Sequence, residues 1–321
     1  SPLDACLASL EKQIYRDFHV VVIDNSGRNI TRRLGALNFT LTRIENARNI
    51  GFGAAINQAA AQTQSDYIAT LNDDCEASPQ WLKTMVDALD REYEIGSCAA
   101  QVRMAGSIPE QLDSAGMLIA ADGSSKQRGF RCPISAFQRD SETLCCSGSA
   151  SLYRRAMFEE LGGFDETFFL YCEDIDLGLR ARWAGWQSWY AANAIVYHRY
   201  SHSAGQSSAL KASLVERNRL RTIIKNFPAR ELLLSPAASV GRYLFHGVTM
   251  FGGKGHAAEF RREGGSPFTL FGFVLKAHWK IMREWPSLWR ARKSVRRRMT
   301  TQQMRRALRR HKISLWNVAS Q

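Results

Sequence analysis

Tyr67-Ile68-Ala69-Thr70-Leu71-Asn72-Asp73-Asp74 is an apolar, strand-length run that ends on an amide and two carboxylates. Its length and bulky residues read as a short buried strand. Polar groups at the end of such a strand reach into the crevice where open α/β sheets take their ligands. Hard oxygen donors at this spacing suit Mg²⁺ or Mn²⁺ holding a diphosphate. A plainer reading stays open, because Ser78 and Pro79 follow as cap and first-turn residues of a helix.

Upstream, Leu3, Leu7, Leu10 and Ile14 recur at helical spacing, and Phe18-His19-Val20-Val21-Val22-Ile23 is a β-branched run closing on Asp24-Asn25-Ser26-Gly27. A second extended piece covers residues 39–44. Then Asn49-Ile50-Gly51-Phe52-Gly53-Ala54-Ala55-Ile56-Asn57 makes a glycine turn into an alanine-rich helix. Strands alternating with helices imply an α/β fold, a mainly parallel sheet flanked by helices. The chain begins at Ser1-Pro2-Leu3 inside a helical pattern, so a first strand is expected to be missing. Residues 96–150, with short apolar pieces among Gly, Ser and Arg, read as loops over the mouth of a site. Residues 150–153 read as a strand, 154–161 as a helix closed by Gly162-Gly163, 174–184 as a helix, and 186–190 and 194–198 as strands.

Phe168-Phe169-Leu170-Tyr171-Cys172-Glu173-Asp174-Ile175-Asp176-Leu177 delivers three carboxylates within four residues of an aromatic, apolar run. Carboxylates are costly to bury without partners, so this cluster is a candidate reaction centre facing a cation or a hydroxyl. The alternative is an acidic first helical turn favoured by the helix dipole.

Taken together, Val21-Val22-Ile23-Asp24-Asn25-Ser26, the 49–57 segment, Leu71-Asn72-Asp73-Asp74, Gly162-Gly163-Phe164-Asp165-Glu166, and Glu173-Asp174-Ile175-Asp176-Leu177 through Gly185-Trp186 resemble the family 2 inverting glycosyltransferases of GT-A (Rossmann-like) fold, especially bacterial rhamnosyltransferase-like members. The motifs occur in the family's order over residues 1 to about 205. The resemblance implies that Asp24 contacts the base or ribose of a nucleotide sugar, and that Asn49, Gly51, Phe52 and Asn57 shape the nucleotide pocket. Asn72-Asp73-Asp74 is similar to the family's DxD element with Asn in its first position; Asp74 would bind the metal most directly and Asp73 would assist through ribose or water. His198 is similar to a histidine that completes the metal shell in some relatives, whereas a lone histidine is as readily structural. Gly148, within Cys146-Ser147-Gly148-Ser149, would line donor and acceptor, unless that stretch is only a tight turn. Trp183, Trp186, Trp189 and Tyr190 read as core before sugar platforms.

Displacing a nucleoside diphosphate from an anomeric carbon builds charge on the leaving phosphate, which a divalent cation neutralises. The acceptor hydroxyl must also lose a proton to a carboxylate of raised pKa, and direct attack inverts the centre. By the resemblance that base is Asp174, with Glu173 second and Asp176 on another side of the helix. The donor implied is dTDP- or UDP-linked, with dTDP-L-rhamnose foremost. The acceptor implied is polyprenyl-diphosphate-linked or a growing polysaccharide.

The formal charge of +13 is concentrated in residues 283–312, which hold twelve Lys or Arg against the single Glu284, so the basic, helical region 206–321 is set apart from a catalytic domain 1–205 at a boundary near Gly205. The segment 215–228 alternates basic and apolar positions. Trp279, Trp285 and Trp289 interleave with Lys280, Arg283, Arg290, Arg292 and Lys293, the composition of a helix at an anionic membrane surface. Nucleic acid is the rival partner, disfavoured by the tryptophans. A solvated tail beyond about residue 300 is a further alternative.

No signal peptide is visible, and the longest apolar run, residues 268–275, falls well short of the roughly 20 residues of a spanning helix. Seven cysteines without CxxC spacing suit a reduced, cytoplasmic setting, here peripheral at the inner face of a bacterial plasma membrane. Two readings of other classes compete with sugar transfer. One is a glycoside hydrolase using paired carboxylates, which needs no nucleotide pocket. The other is a non-catalytic membrane- or nucleic-acid-binding adaptor.

Overall fold

A computed structural model describes residues 1–33, 35, 37–199, 209–252 and 267–320. The boundary expected near Gly205 lies outside the described residues. The chain divides into two compact units, Ser1–Met117 with Gln127–Ala181 and Trp186–Ser201, and Leu118–Lys126 with Arg182–Gly185 and His202–Gln321.

In chain order the elements are α1 (Pro2–Glu11), β1 (His19–Asp24), β2 (Thr40–Glu45), α2 (Phe52–Ala60), β3 (Tyr67–Leu71), β4 (Cys75–Ala77), α3 (Trp81–Asp90), β5 (Ile95–Met104), β6 (Leu112–Ser114), β7 (Met117–Ile119) and β8 (Ser125–Gln127). There follow β9 (Ser141–Thr143), β10 (Ala150–Arg154), α4 (Arg155–Glu160), α5 (Glu173–Trp183) and β11 (Gln187–His198), and then α6 (Ala209–Asn226), α7 (Ala229–Phe251), α8 (Pro267–Ser294), α9 (Thr301–Arg310) and α10 (Leu315–Ser320).

The first unit is α/β, as the alternation of periods predicts. Its seven-stranded sheet runs β3-β10-β5-β11-β4, with β6 on β5 and β9 on β11, while β1 and β2 form their own parallel pair. The large sheet is mixed: β5 and β11 are parallel, and β10 runs antiparallel to both β3 and β5. α3 lays Trp81, Leu82, Met85, Val86 and Leu89 against β5, β10 and β11, each such side chain contributing roughly 1.5–3 kcal/mol by leaving water. α1 starts at Ser1, whose hydroxyl accepts the Asp4 N–H at 3.3 Å, and buries Cys6, Leu7 and Leu10.

The loop expected over residues 96–150 is corrected at its start. β5 occupies Ile95–Met104 in the middle of the sheet, and its first eight residues are buried. The sequence conceals it because the strand is made of small and polar residues whose partners lie on β11 and beyond. The Ser97 hydroxyl donates to Ser188 Oγ at 2.8 Å, and Gln101 Nε2 donates to Tyr190 Oη at 2.9 Å. A Cβ on Gly96 would meet Met157 Sδ at 2.5 Å. Trp183, Trp186 and Tyr190 are buried, as core aromatics should be.

In the second unit Ile224, Ile281 and Leu288 pack with Leu220 and Leu232, while Ala120, Ile313 and Val318 form a second cluster. The solvated tail beyond residue 300 is likewise corrected. Thr300 and Gln303 cap α9 reciprocally, Met304 is fully buried, and the Ile119 N–H donates to the His311 carbonyl while the Ile119 carbonyl accepts the Ile313 N–H, both at 3.1 Å. The basic residues hid the apolar pair Met304 and Leu308, four apart on one helical face.

Asp122, Glu216, Arg219 and Arg242 form a buried charge cluster in this unit. Burial alone would raise the Glu216 carboxyl, but Arg219 and Arg242 hold it well below the usual range. Burial pushes the His246 imidazole down to about 4, and Arg242 and Lys126 add to the shift. Both groups have depressed folded pKa values, so their stabilisation is present above the unfolded values and lost as pH falls. Melting should therefore worsen from about pH 6.5 downward, His246 accounting for up to about 3 kcal/mol by pH 4 and Glu216 adding to the loss below about pH 4.5. Thermal melts at stepped pH should show His246→Gln flattening the upper part of that decline. An unchanged slope would remove His246 from the account.

Candidate active site

β3 ends at Leu71, and the backbone turns at once: the Asn72 N–H donates to the Ser149 carbonyl at 2.9 Å and the Cys75 N–H to the Asn72 carbonyl at 3.0 Å. This turn leaves Asp73 exposed and Asp74 buried. β4 begins directly after it and pairs antiparallel with the end of β11, which sets Cys75 opposite His198. Asp74 Oδ1 consequently lies 3.3 Å from His198 Nε2, and a ligand atom from each of Asp74, Cys75 and His198 falls within 4.8 Å of the others. His198 Nδ1 lies 2.8 Å from Asp113 Oδ2, on β6. Burial would lower the His198 pKa, but hydrogen bonds and charge from Asp113 and Asp74 push it up to about 9. Without a cation the two carboxylates thus favour the protonated ring, and a metal taking Nε2 would displace that proton. Burial pushes the Cys75 thiol far up, so it stays protonated.

The second acidic patch is built by strained backbone. After a short 3₁₀ turn over Glu166–Phe168, Phe169, Tyr171 and Cys172 take φ values of 67°, 69° and 68°. Non-glycine residues enter this left-handed region at a cost of roughly 1–3 kcal/mol each, and persist there only when their surroundings hold them. The hold comes from α2. The Phe52 N–H donates to the Phe169 carbonyl at 2.8 Å, and Gly51, at φ 94°, lets the two chains meet, since a Cβ there would sit 2.5 Å from the same oxygen.

Glu173, Asp174 and Asp176 occupy the first turn of α5, as the dipole reading requires, but they do different things. Asp176 is fully buried and pairs with Arg180 at 2.7 Å, and Arg180 also donates to the carbonyls of Leu161 and Gly163. Asp174 is deeply surrounded by protein yet keeps part of its surface open. Its Oδ1 accepts the Ile175 N–H at 2.8 Å and its Oδ2 the Gly148 N–H at 3.3 Å. Glu173 is buried, and its Oε2 has no hydrogen-bond partner among the described residues. Burial raises both carboxyls, and the Asp174 charge raises Glu173 further.

The segment 147–149 joins the two patches: Ser149 takes the Asn72 N–H on one side, and Gly148 donates to Asp174 on the other. Gly148 is required by the Phe52 ring, which a Cβ would meet at 2.9 Å.

The remaining expected residues act on the site through the backbone. Asn49 Oδ1 accepts the Gly51 N–H at 2.8 Å and sets the glycine turn. Asn57 interlocks α2 with the next motif: it donates to the Phe164 carbonyl at 2.9 Å and to Glu166 at 3.0 Å, and accepts the Phe164 N–H at 2.9 Å. Asp24 accepts from the Ser26 N–H, the Ser26 hydroxyl and the Ile30 N–H at 2.6–2.8 Å. Burial would raise its pKa, but these bonds outweigh it and hold the carboxyl below its ordinary value. Both oxygens of Asp24 thus organise its own loop. Asp113 escaped the sequence reading, because it stands alone on a three-residue strand with no periodicity to mark it.

A strand-end carboxylate turn and a loop-held acidic pair, joined through residues 147–149 on a mixed α/β sheet, make a GT-A glycosyltransferase arrangement. Two solved structures share the fold: the mannosyltransferase PcManGT from Pyrobaculum calidifontis, in complex with GDP-Man and Mn²⁺, at TM-score 0.52 and 15% identity over 92% of this chain and 81% of that one; and GalNAc-T7 with UDP, GalNAc and Mn²⁺, at TM-score 0.52 and 14% identity over 70% and 48%. Residues 1–162 match Glycosyl transferase family 2, and the chain belongs to that family. Among curated proteins it is 29% identical over 229 residues, 64% of this chain and 75% of the other, to the N-acetylglucosaminyl-diphospho-decaprenol L-rhamnosyltransferase of Mycobacterium tuberculosis. It is 23% identical over 206 residues, 62% of each chain, to the O-antigen chain rhamnosyltransferase WbaN of Salmonella anatum.

Proposed function

We propose that this glycosyltransferase moves L-rhamnose, with inversion, from dTDP-L-rhamnose to a polyprenyl-diphosphate-linked or polysaccharide acceptor at the inner face of a bacterial plasma membrane. The observation that supports the reading is the 147–149 bridge, which ties the Asn72 turn to Asp174 through the Asn72 N–H to Ser149 and Gly148 N–H to Asp174 hydrogen bonds. The similarity to L-rhamnosyltransferases supports the choice of sugar and acceptor.

Asp74 and His198 bring a carboxylate oxygen and an imidazole nitrogen within 4.8 Å of each other, a pair that suits Mg²⁺ or Mn²⁺, and the Asn72 amide oxygen would add to it, while the buried, protonated Cys75 thiol is the poorer donor for a hard cation. Bound there, the cation would neutralise charge developing on the departing diphosphate. Asp73, open to solvent, reaches the ribose. Asp24, Asn49, Gly51, Phe52 and Asn57 form the nucleotide side and hold its loops. Asp174 accepts the proton of the acceptor hydroxyl as its oxygen bonds to the anomeric carbon and the bond to the diphosphate oxygen breaks opposite. Burial makes that carboxylate a stronger base than an exposed aspartate. Residues 206–321 bring the catalytic unit to an anionic lipid surface.

Incubation with dTDP-L-rhamnose, Mn²⁺ and N-acetylglucosaminyl-diphospho-polyprenol should release dTDP and yield glycosylated lipid, with UDP- and GDP-sugars run in parallel. Sugar released into water without acceptor would favour a hydrolase, and no turnover with any donor would overturn the proposal. Asp113 supplies a second test. A carboxylate behind a metal-binding histidine fixes its ring, and its loss typically weakens metal affinity 10–100-fold. Asp113→Asn should therefore weaken Mn²⁺ binding, read by titration calorimetry in the presence of dTDP, by roughly that factor. Unchanged affinity would confine Asp113 to a structural role.

A further inference from the structure

α7 is inside out. Its buried positions are mostly polar, Ser235, Ser239, Arg242 and Thr249, while Leu233, Leu234, Val240, Leu244, Phe245 and Val248 are exposed, Leu233 to 79% and Leu244 to 66%. The inward polarity has a cause: Arg242 reaches Asp122 and Glu216, and Ser239 Oγ accepts from Arg219 at 3.1 Å. The helix must turn its polar stripe inward to close the charge cluster, which sends the aliphatic stripe outward. A helix in water has the opposite arrangement.

α8 in the same unit has three faces. Ala277, Ile281 and Leu288 are buried. Phe271, Leu275, Trp279, Met282, Trp285 and Trp289 are exposed at spacings of three and four, with Trp285 and Trp289 stacked at 5.8 Å. Lys276, Lys280, Arg283 and Arg290 are exposed along the flank beside that stripe. The acid within α8, Glu284, is half-buried and paired with Arg217 and Arg221.

We propose that α7 and α8 insert into the headgroup–acyl boundary of an anionic bilayer, the aliphatic stripe of α7 entering the acyl region and the basic flank of α8 lying against lipid phosphates. This deepens the membrane attachment proposed above, from attraction of basic residues to insertion of a defined apolar surface. Charge selects the occupant. A second copy of this chain, itself +13, would bring Lys and Arg against the same flank, whereas lipid phosphates complement it and tryptophan favours the interface. Insertion also predicts a salt response. Attraction alone is screened away, but binding through buried apolar area persists.

The full chain is sedimented with phosphatidylcholine vesicles, with and without phosphatidylglycerol, at low and high salt. Binding is expected to anionic vesicles, weakened but retained at high salt, with a blue shift of tryptophan emission. Leu244→Asp with Val248→Asp should lower vesicle affinity about tenfold or more, and Lys276→Gln with Lys280→Gln should reduce the preference for phosphatidylglycerol. Circular dichroism confirms that each variant is folded, with Leu244→Ser and Val248→Ser as a milder pair should the first not fold. Absent vesicle binding, an unchanged affinity in the Leu244 and Val248 variants, or complete loss at high salt would overturn insertion. So would a concentration-dependent dimer that these variants dissolve. Sedimentation requires no sugar transfer, so failure here and failure of the proposed rhamnosyl transfer are separate results.

Discussion

Asp174→Asn is expected to lower sugar transfer roughly a thousandfold while leaving the protein folded. The amide has nearly the shape of the carboxylate and still offers one oxygen to the Ile175 N–H that Asp174 Oδ1 now accepts. It has no basicity with which to take the acceptor proton. The weaker contact, Gly148 N–H to Oδ2 at 3.3 Å, would face an amide NH₂, and this mismatch should cost about 1 kcal/mol of stability. Steady-state transfer measured beside thermal melts separates the two effects. Glu173 and Asp174 titrate as a pair, so Glu173→Gln should leave a single acid limb in the pH profile and a smaller loss of rate. If Asp174→Asn keeps near-normal turnover with an intact melt, the proton goes elsewhere and Glu173, with its unpartnered Oε2, becomes the candidate.

The strand closing on Asn72-Asp73-Asp74 and the acidic start of α5 were legible because each is a local event: an apolar run of one period stops at residues with no reason to be apolar. What could not be read depends on partners far away in sequence. β5 looks like loop until Ser97 and Gln101 find Ser188 and Tyr190, 91 and 89 residues on. Asp113 has meaning only beside His198, 85 residues away. The inverted polarity of α7 follows from Asp122, 120 residues before Arg242. Asn57 was legible as part of a motif but not in its role, because its amide is directed at Phe164 and Glu166. Polar residues whose hydrogen bonds are satisfied at a distance look like surface in a sequence and become interior in a structure.

Gly51→Ala tests whether the first motif serves the second. Alanine at φ 94° carries backbone strain, and its Cβ would sit 2.5 Å from the Phe169 carbonyl oxygen and 2.9 Å from Phe169 Cα, backbone atoms that cannot swing aside. Relief requires shifting the 169–172 backbone, which already holds three left-handed residues and ends at Glu173. The expected cost is about 2–4 kcal/mol, strain and overpacking together, with a fall in turnover beyond what the lost stability explains, because the Phe52 N–H to Phe169 bond that fixes the approach to Asp174 would stretch or break. Gly106→Ala is the control. It also lies in the left-handed region, at φ 75°, but nothing lies within 4 Å of its added Cβ, so it carries the backbone strain alone, about 1 kcal/mol. The difference between the two variants isolates the contact with Phe169. Equal melting points and equal turnover in the pair would mean that α2 does not position the acidic loop, and the link between the glycine turn and the catalytic carboxylate would have to be abandoned.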